Sequence, residues 1–206
     1  MKRKRMTGDA RKISIIEATI NIVSRLNYDS ATVALIAEEA GINQALIYNH
    51  YKSKQELQLA MLDYIYETIL ERYKTGPLHE NSSGDTTSIR AFAALYHSNR
   101  EEEGRYRSCV VKAMVAIDPM IREKAWEIMQ EEHAFIREGY AADKNRGAYE
   151  KDFDIDTAAW WVLACDLLFS TMYIMGKTET ISRDSVLASL KYIEDRLKGQ
   201  KKPRNT

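Results

Sequence analysis

Residues 32–50 read TVALIAEEAGINQALIYNH, and this stretch decides the fold. Thr32 is a suitable N-cap for one short helix, and Gly41 can end that helix in a left-handed turn. Asn43 can cap a second short helix that runs to about His50. Two short helices joined by a tight turn form the helix-turn-helix arrangement, and we expect the longer helix before them to cover their apolar faces.

The second short helix is amphipathic in a way that suits DNA. Leu46 and Ile47 can pack inward. The side chains compatible with a DNA groove are Asn43, Gln44, Tyr48, Asn49 and His50. Asn and Gln can bond bidentately to adenine, and Tyr or Thr hydroxyls can bond phosphate oxygens. Since the second helix of this arrangement enters the major groove, the pattern predicts DNA binding.

Helical periodicity extends to both sides of this motif. The first helix ends before Asn27, and its apolar face is formed by Ile13, Ile16, Ile20 and Val23 and widened by Ile15, Ile22 and Leu26. A capping box from Ser53 to Glu56 starts a long fourth helix. The predicted buried residues of that helix are Leu57, Met61, Tyr64, Ile65 and Ile69.

Five further helices follow a polar loop that starts at Gly76. Asp118 caps the seventh helix with Pro119 at its first position, residues 157–176 form the eighth, and Ser182 caps the ninth. Apolar residues at helical spacing mark three of these helices. They are Ile89, Phe92, Ala93 and Tyr96 in the fifth helix, and Val110, Ala113, Met114 and Ile117 in the sixth. In the ninth helix they are Val186, Leu190, Ile193 and Leu197. We therefore expect an all-α fold of about nine helices, with a helix-turn-helix domain at 1–52 and a larger helical domain at 53–206.

Composition and charge agree with this fold class. The chain has 206 residues, of which 45% are hydrophobic and 29% charged, and its 9 Gly and 3 Pro are too few for a turn-rich β fold. Two cysteines, Cys109 and Cys165, make no disulfide framework, so we expect a reducing cytoplasm. The net charge is zero, but residues 1–57 hold nine Lys and Arg against six Asp and Glu, an excess of +3. The run Lys2, Arg3, Lys4 and Arg5 has no apolar segment behind it and is typical of a cationic arm rather than a secretory signal.

The stretches 31–42 and 46–57 make the sequence similar to the TetR family of bacterial transcriptional regulators. The family pattern has a Thr opening the second helix, an Ile-Ala-x-x-Ala-Gly turn, a Leu-Tyr-x-His-Phe-like recognition helix and a Ser-Lys-x-x-Leu start to the fourth helix. This chain matches nearly every element, with Ile47 in place of the usual Leu and Tyr51 in place of the usual Phe. The resemblance is specific from Lys12 to Leu57 and implies a DNA-binding regulator, most simply a repressor.

The resemblance also implies a role for individual residues at double-stranded DNA. Thr32, Tyr48 and Lys54 would grip phosphates on either side of the groove. Asn43, Gln44, Ala45 and Asn49 would lie where the family reads bases, and Ala45 could touch a thymine methyl. The basic arm would add salt-dependent affinity or reach the minor groove.

Residues 157–176 are long and apolar enough to raise the question of a membrane span, with Asp166 as their one charge. A carboxylate in mid-bilayer is unfavourable and the preceding flank is acidic, so we expect no membrane helix but one buried in the protein or at a subunit interface. A homodimer formed by the last two helices in a four-helix bundle explains this apolarity, and the family resemblance implies it too. Two-fold symmetry then predicts a palindromic operator.

Family members generally carry a small-molecule pocket in the second domain, so the resemblance implies an effector that releases the protein from DNA. The candidate lining residues are Tyr96, Met114, Trp126, Met129, His133 and Asp166. Met and aromatic residues at helical spacing often belong simply to the core. Asp166 stands out because a buried carboxylate needs a partner, either an internal Arg or His or a cationic ligand.

Enzyme and metal chemistry are disfavoured. The four histidines form no pair one helical turn apart, as a zinc site on a helix would need. The alternating Asp152, Asp154 and Asp156 are not followed by the Gly and Glu of a calcium-binding loop. The sequence contains no nucleophile elbow and no Gly-rich phosphate loop. We therefore expect no cofactor, and we interpret the acidic run as a helix-start cap. Two alternatives stay open: a structural or cell-division regulator of the same fold without an effector, and a helical enzyme or adaptor whose front matches by chance.

Overall fold

The computed structural model describes residues 7–75, 100–180 and 183–198, and within these ranges it contains eight helices and no strand. They are α1 (Gly8–Arg25), α2 (Val33–Glu39), α3 (Gln44–Tyr48), α4 (Lys54–Thr75), α5 (Arg100–Ala113), α6 (Pro119–Asn145), α7 (Ile155–Ile174) and α8 (Arg183–Lys198). The all-helical prediction is confirmed. The basic arm, the predicted fifth helix around 89–96 and the predicted Ser182 cap lie outside the described residues.

α1 forms the back of the N-terminal three-helix group. Its N-cap is Thr7, whose side chain accepts a hydrogen bond from the Ala10 N–H at 3.3 Å. Most of its predicted apolar face is buried, but the prediction is wrong for Ile13 and Leu26, whose side chains are 46% and 45% exposed. Ile13 lies in the second turn of α1 and Leu26 is its C-cap, and periodicity alone does not show which turns of a helix are covered.

α2 and α3 form the predicted helix-turn-helix. The Thr32 hydroxyl accepts from the Leu35 N–H at 3.2 Å, and the Asn43 Oδ1 accepts from the Leu46 N–H at 2.9 Å. Gly41 has φ +63°, the left-handed conformation that a glycine adopts most readily. α2 packs against both α1 and α3. Both caps and the turn are therefore confirmed.

The capping box before α4 forms only in part. The Glu56 N–H donates to the Ser53 hydroxyl at 3.0 Å, as predicted, but the Glu56 carboxylate accepts from the Lys52 N–H at 2.7 Å instead of the Ser53 N–H. α5 ends at Ala113, so the prediction that Ile117 lies on its buried face is wrong: Ile117 is 78% exposed in the α5–α6 loop.

The chain divides into two compact units. The first comprises Met1–Ile69 and Glu101–Glu127, and the second comprises Leu70–Arg100 and Ile128–Thr206. The first unit thus adds α5 and the start of α6 to the helix-turn-helix region. The functional boundary between 52 and 53 stays a prediction.

The second unit is held by an aromatic and acidic cluster. The Tyr149 and Phe153 rings stack with centroids 4.1 Å apart, and Tyr140 packs beside both. The Tyr140 and Tyr149 hydroxyls donate to the buried Glu194 carboxylate at 3.2 and 3.1 Å. Glu194 on α8 is in this way fixed to α6.

α7 begins at an acidic cap and is buried along only part of its surface. The Asp154 carboxylate accepts from the backbone N–H groups of Asp156 and Thr157 at 3.2 and 3.1 Å, which confirms the interpretation of the acidic run. Among the described helices, α7 is the one long and apolar enough to span a membrane by length and composition, and 28% of its most apolar 18 residues are buried within the chain. The described chain thus covers only part of α7, and burial at a subunit interface, the other place that the sequence left open for this helix, stays a prediction.

Candidate nucleic-acid interface

α3 is anchored by one side and open on the other. Ile47 is the buried residue of this five-residue helix, at 1% exposure. Just after the helix, the buried Tyr51 donates its hydroxyl to the Lys12 carbonyl oxygen at 3.5 Å. The buried Ile47 side chain and the Tyr51 hydrogen bond therefore hold α3 on the side opposite to its polar residues.

The side chains proposed for DNA contact lie on the open side of this region. Six of the seven predicted residues are exposed: Thr32, Asn43, Gln44, Ala45, Tyr48 and Asn49. Two of them also cap helices through an accepting oxygen, which leaves the Thr32 hydroxyl hydrogen and the Asn43 amide nitrogen available as donors. Exposure is what DNA contact requires, and the contacts themselves stay predictions.

Lys54 differs from the other six because it is half-buried. Its Nζ donates to the backbone carbonyl oxygens of Tyr28 at 3.2 Å and Asp29 at 3.3 Å. An ammonium group has three donors, so these two bonds leave one for a phosphate. The structure thus gives Lys54 a role in holding the α1–α2 turn, besides its predicted role at DNA.

The α5–α6 segment of the first unit is tied to the helix-turn-helix region by polar contacts that the sequence did not predict. The Gln55 amide donates to the Asp118 carboxylate at 2.6 Å, and the Asp29 carboxylate accepts from the Ile117 N–H at 3.2 Å. The Lys112 Nζ donates to the Val23 carbonyl at 3.3 Å, near the C-terminal end of α1. These bonds connect residues about 60 to 90 positions apart, so no local pattern could have identified them.

A second set of contacts reaches α2 itself. Arg105 donates to the Asn21 side-chain oxygen, and the Asn21 amide nitrogen donates to the Glu39 carboxylate at 3.0 Å. Arg25 pairs with the other oxygen of the same carboxylate at 2.6 Å. The one sequence signal for this set is that Asn21 stands between two apolar residues of α1.

Local environments shift several pKa values in the first unit. The hydrogen bond from Gln55 holds the pKa of Asp118 below its usual range, with help from backbone N–H donors at the start of α6. Burial lowers the pKa of Lys112. Burial also raises the pKa of the Cys109 thiol to about 12, which agrees with the placement of that residue in the core.

The predicted effector residues are distributed over both units. Met114 is half-buried and Trp126 is exposed in the first unit, whereas Met129, His133 and Asp166 are half-buried in the second. Tyr96 lies outside the described residues. Asp166 is thus not the buried carboxylate that was expected, because its stretch of α7 is largely open. The effector role of this set stays a prediction.

His133 has the most defined surroundings of the candidate effector residues. Its ring stacks on Trp160 with centroids 4.2 Å apart, and its Nε2 lies 3.5 Å from the Asp156 carboxylate. Arg137 approaches the same carboxylate at 3.6 Å. These contacts join α6 to the first turns of α7 within the second unit.

α7 presents a broad apolar surface. Its exposed large side chains are Trp160, Trp161, Leu167, Leu168 and Ile174, followed by Met175 just beyond the helix. They form three adjacent pairs, 160/161, 167/168 and 174/175, spaced seven residues or about two helical turns apart, so they share one side of the helix. A contiguous exposed apolar face of this kind marks an interaction surface.

Comparison with known proteins connects the N-terminal geometry with a family. The family model described as "Bacterial regulatory proteins, tetR family" matches residues 15–61, which contain α2, α3 and the start of α4. The chain is 29% identical over 92 residues to the HTH-type transcriptional regulator BetI of Vibrio atlanticus (strain LGP32), a match that covers 45% of this chain and 40% of that protein. The chain therefore spans less than half the length of this relative.

Two further comparisons extend over more of the chain. The HTH-type transcriptional repressor AcnR of Corynebacterium jeikeium (strain K411) is 26% identical over 150 residues, which cover 72% of this chain and 74% of that protein. The crystal structure of a TetR-family transcriptional regulator from Rhodococcus sp. superposes with a TM-score of 0.73, at 18% identity, over 92% of this chain and 99% of that one. The structural likeness extends the shared fold to the C-terminal helices.

Proposed function

Since this chain belongs to the TetR family of DNA-binding transcriptional regulators, we propose that it is a cytoplasmic repressor. It binds a palindromic operator as a homodimer and leaves the operator when a small-molecule effector binds its C-terminal region. The observation that carries this proposal is the exposed polar side of α3, held in place from behind by Ile47.

The chemistry of that side supports a division of labour at DNA. Gln44 and Asn49 have carboxamides that can bond bidentately to adenine in the major groove, and Ala45 offers a methyl group to thymine. Tyr48, which is 52% exposed, and the Thr32 hydroxyl suit phosphate oxygens. Asn43 and Lys54 complete the set, since each combines a structural role with a donor that can reach DNA.

The homodimer is supported by the exposed apolar face of α7. The exposed side chains of Trp160, Trp161 and Leu168 belong to this face, and removing them from water beneath a second copy of the chain would stabilise the dimer. A two-fold axis through α7 and α8 would present two recognition helices to one duplex. Half-sites of such dimers lie about 34 to 36 Å apart, one turn of B-DNA.

Release by an effector follows from linkage. A ligand that binds better to the DNA-free conformation lowers the affinity for the operator, and the operator lowers the affinity for the ligand by the same factor. The residues proposed to line the effector site are Tyr96, Met114, Trp126, Met129, His133 and Asp166. A regulator without an effector would bind the same kind of operator and show no such release.

The experiment that tests this proposal is selection of bound sequences from a random duplex library by the purified protein. The proposal predicts an enriched site with two-fold symmetry and half-sites about one helical turn apart. Failure to enrich any duplex, or enrichment of an asymmetric site by a monomer, would contradict it.

Variants of two residues separate base reading from phosphate binding. Gln44→Ala should change the enriched sequence at one position of each half-site. Lys54→Ala should weaken binding to all duplexes and reduce the dependence of log affinity on log salt by about one unit for each phosphate that is no longer neutralised. Because Lys54 also bonds two carbonyl oxygens of the α1–α2 turn, the melting temperature is measured beside the affinity.

A further inference from the structure

A continuous series of hydrogen bonds runs from α5 to the end of α2. Arg105 on α5 donates through Nη1 to the Oδ1 of Asn21 on α1. The Nδ2 of Asn21 donates to the Oε1 of Glu39 at 3.0 Å, and Arg25 donates to the Oε2 of Glu39 at 2.6 Å. All four residues belong to the first compact unit.

The carboxamide of Asn21 has the chemistry that this place requires. A guanidinium only donates hydrogen bonds, and an ionised carboxylate only accepts them. A group between the two must accept on one side and donate on the other, which a carboxamide does and a carboxylate or an alkyl group does not. Asn21 itself is half-buried, and its bond to Glu39 lies at the exposed edge of the unit.

The position of Glu39 connects this series to the recognition helix. Glu39 is the last residue of α2, two positions before the turn at Gly41 and five before the first residue of α3. The buried residues that hold α2, which are Val33, Ile36 and Ala37, all precede it. The bond from Asn21 therefore fixes the C-terminal end of α2 beyond its last buried apolar residue.

We propose that Asn21 is a positioning residue for DNA binding, whose carboxamide ties the end of α2, and with it the start of α3, to α1 and α5. This inference rests on the proposed function of α3 and adds a residue to it that lies outside the helix-turn-helix. Arg105 orients the Asn21 carboxamide, and Glu39 receives its amide hydrogen.

The test is Asn21→Asp, a change that preserves the size of the side chain. The new carboxylate still accepts from Arg105, now as an ion pair, so the tie between α1 and α5 is kept. It repels Glu39 instead of donating to it, so the bond from position 21 to α2 is broken while the Arg25–Glu39 pair remains. We expect the melting temperature to stay within about 2 °C of wild type, while the affinity for the duplex selected by the wild-type protein falls by about five- to twentyfold, as for the removal of one hydrogen bond in each protomer.

The matched control is Asn27→Asp, which adds the same charge to the same unit. Within the described part of the chain, the Asn27 side chain bonds through its Oδ1 alone, which accepts from the Ser30 N–H at 2.7 Å, and a carboxylate can accept in the same way. We expect at most about a twofold decrease in affinity in this variant, from charge alone. An equal decrease in both variants would show that charge and not position is responsible, and would overturn the inference.

A second change restores the hydrogen bond with its direction reversed. In the Asn21→Asp background, Glu39→Gln supplies an amide hydrogen from position 39 to the carboxylate at position 21. We expect the double variant to recover at least half of the decrease in affinity, on a logarithmic scale. The same Glu39→Gln change in the Asn27→Asp background restores the net charge equally, so it should recover no more than the decrease of about twofold that charge alone causes there.

The outcomes separate this inference from the proposed function. If wild type binds the selected duplex, Gln44→Ala alters its preference and Asn21→Asp binds like wild type, the positioning role is overturned and the function stands. A decrease in affinity accompanied by a proportional drop in melting temperature also overturns it, because general destabilisation then explains the result. Failure of wild type to bind any duplex overturns both.

Discussion

Asn43 offers a way to separate the folding of the recognition helix from its use at DNA. Its Oδ1 accepts the Leu46 N–H at 2.9 Å. The first four N–H groups of a helix have no partner within it, and α3 has only five residues, so this cap matters more here than in a long helix. Replacing an Asn cap by Ala costs about 1 kcal/mol. For a chain of this size that amounts to a decrease of about 2–4 °C in melting temperature.

Three replacements divide the two roles. Asn43→Ala removes the cap and the amide donor, so we expect the full decrease in melting temperature and weaker binding to the selected duplex. Asn43→Ser keeps an oxygen that can cap, so the melting temperature should stay within about 1 °C while base preference at one position changes. Asn43→Asp caps equally well but should weaken binding to every duplex, because its charge faces phosphates.

The assay is thermal unfolding followed by far-ultraviolet circular dichroism, beside fluorescence anisotropy on the selected duplex. The reasoning is refuted if Asn43→Ser destabilises as much as Asn43→Ala, since the hydroxyl would then fail to replace the cap. It is refuted equally if Asn43→Ala leaves both the melting temperature and the affinity unchanged.

Four further outcomes follow from buried and exposed groups. The Tyr28 hydroxyl is buried and has no hydrogen-bond partner in the described part of the chain, so Tyr28→Phe should keep the melting temperature or raise it by up to about 3 °C; a decrease of that size would show that the hydroxyl is satisfied in solution. Trp161 is 47% exposed on α7, so Trp161→Lys should convert a dimer into a monomer in light scattering, whereas a dimer that persists would place the interface elsewhere. Native Cys109 should resist a thiol reagent that modifies the half-buried Cys165, and both thiols should react in denaturant. Because folding raises the pKa of Cys109 to about 12 from about 9, the unfolded chain loses this proton first, so the free energy of unfolding should fall as pH rises above about 9; Cys109→Ala should reduce that slope.

The sequence predicted those parts of the fold that depend on neighbours along the chain. The Thr32 and Asn43 caps and the Gly41 turn each follow from residues within four positions of one another, and local chemistry decided them. The same holds for the Asp118 cap of α6, which accepts from the Met120 N–H at 2.9 Å. The capping box was half right, because the Glu56 side chain had two N–H groups within reach.

Features set by distant residues were not predictable in this way. Ile13 and Ile117 are apolar and fit the helical period, but which face is covered depends on elements far away in the chain. The contacts of Asn21 with Arg105 and Glu39 join three helices, and nothing in the period of α1 shows them. Helical spacing places a side chain on a face but not beside a partner, so the grouping of the candidate effector residues stays a prediction.

Hydroxyl-radical footprinting on the selected duplex tests the central claim most directly, namely that α3 reads DNA twice from a two-fold dimer. The account predicts two protected patches related by symmetry, with centres about 10 base pairs apart, and the disappearance of both patches at equal protein concentration in Gln44→Ala. A single protected patch, or a footprint that is the same in wild type and Gln44→Ala, would contradict it.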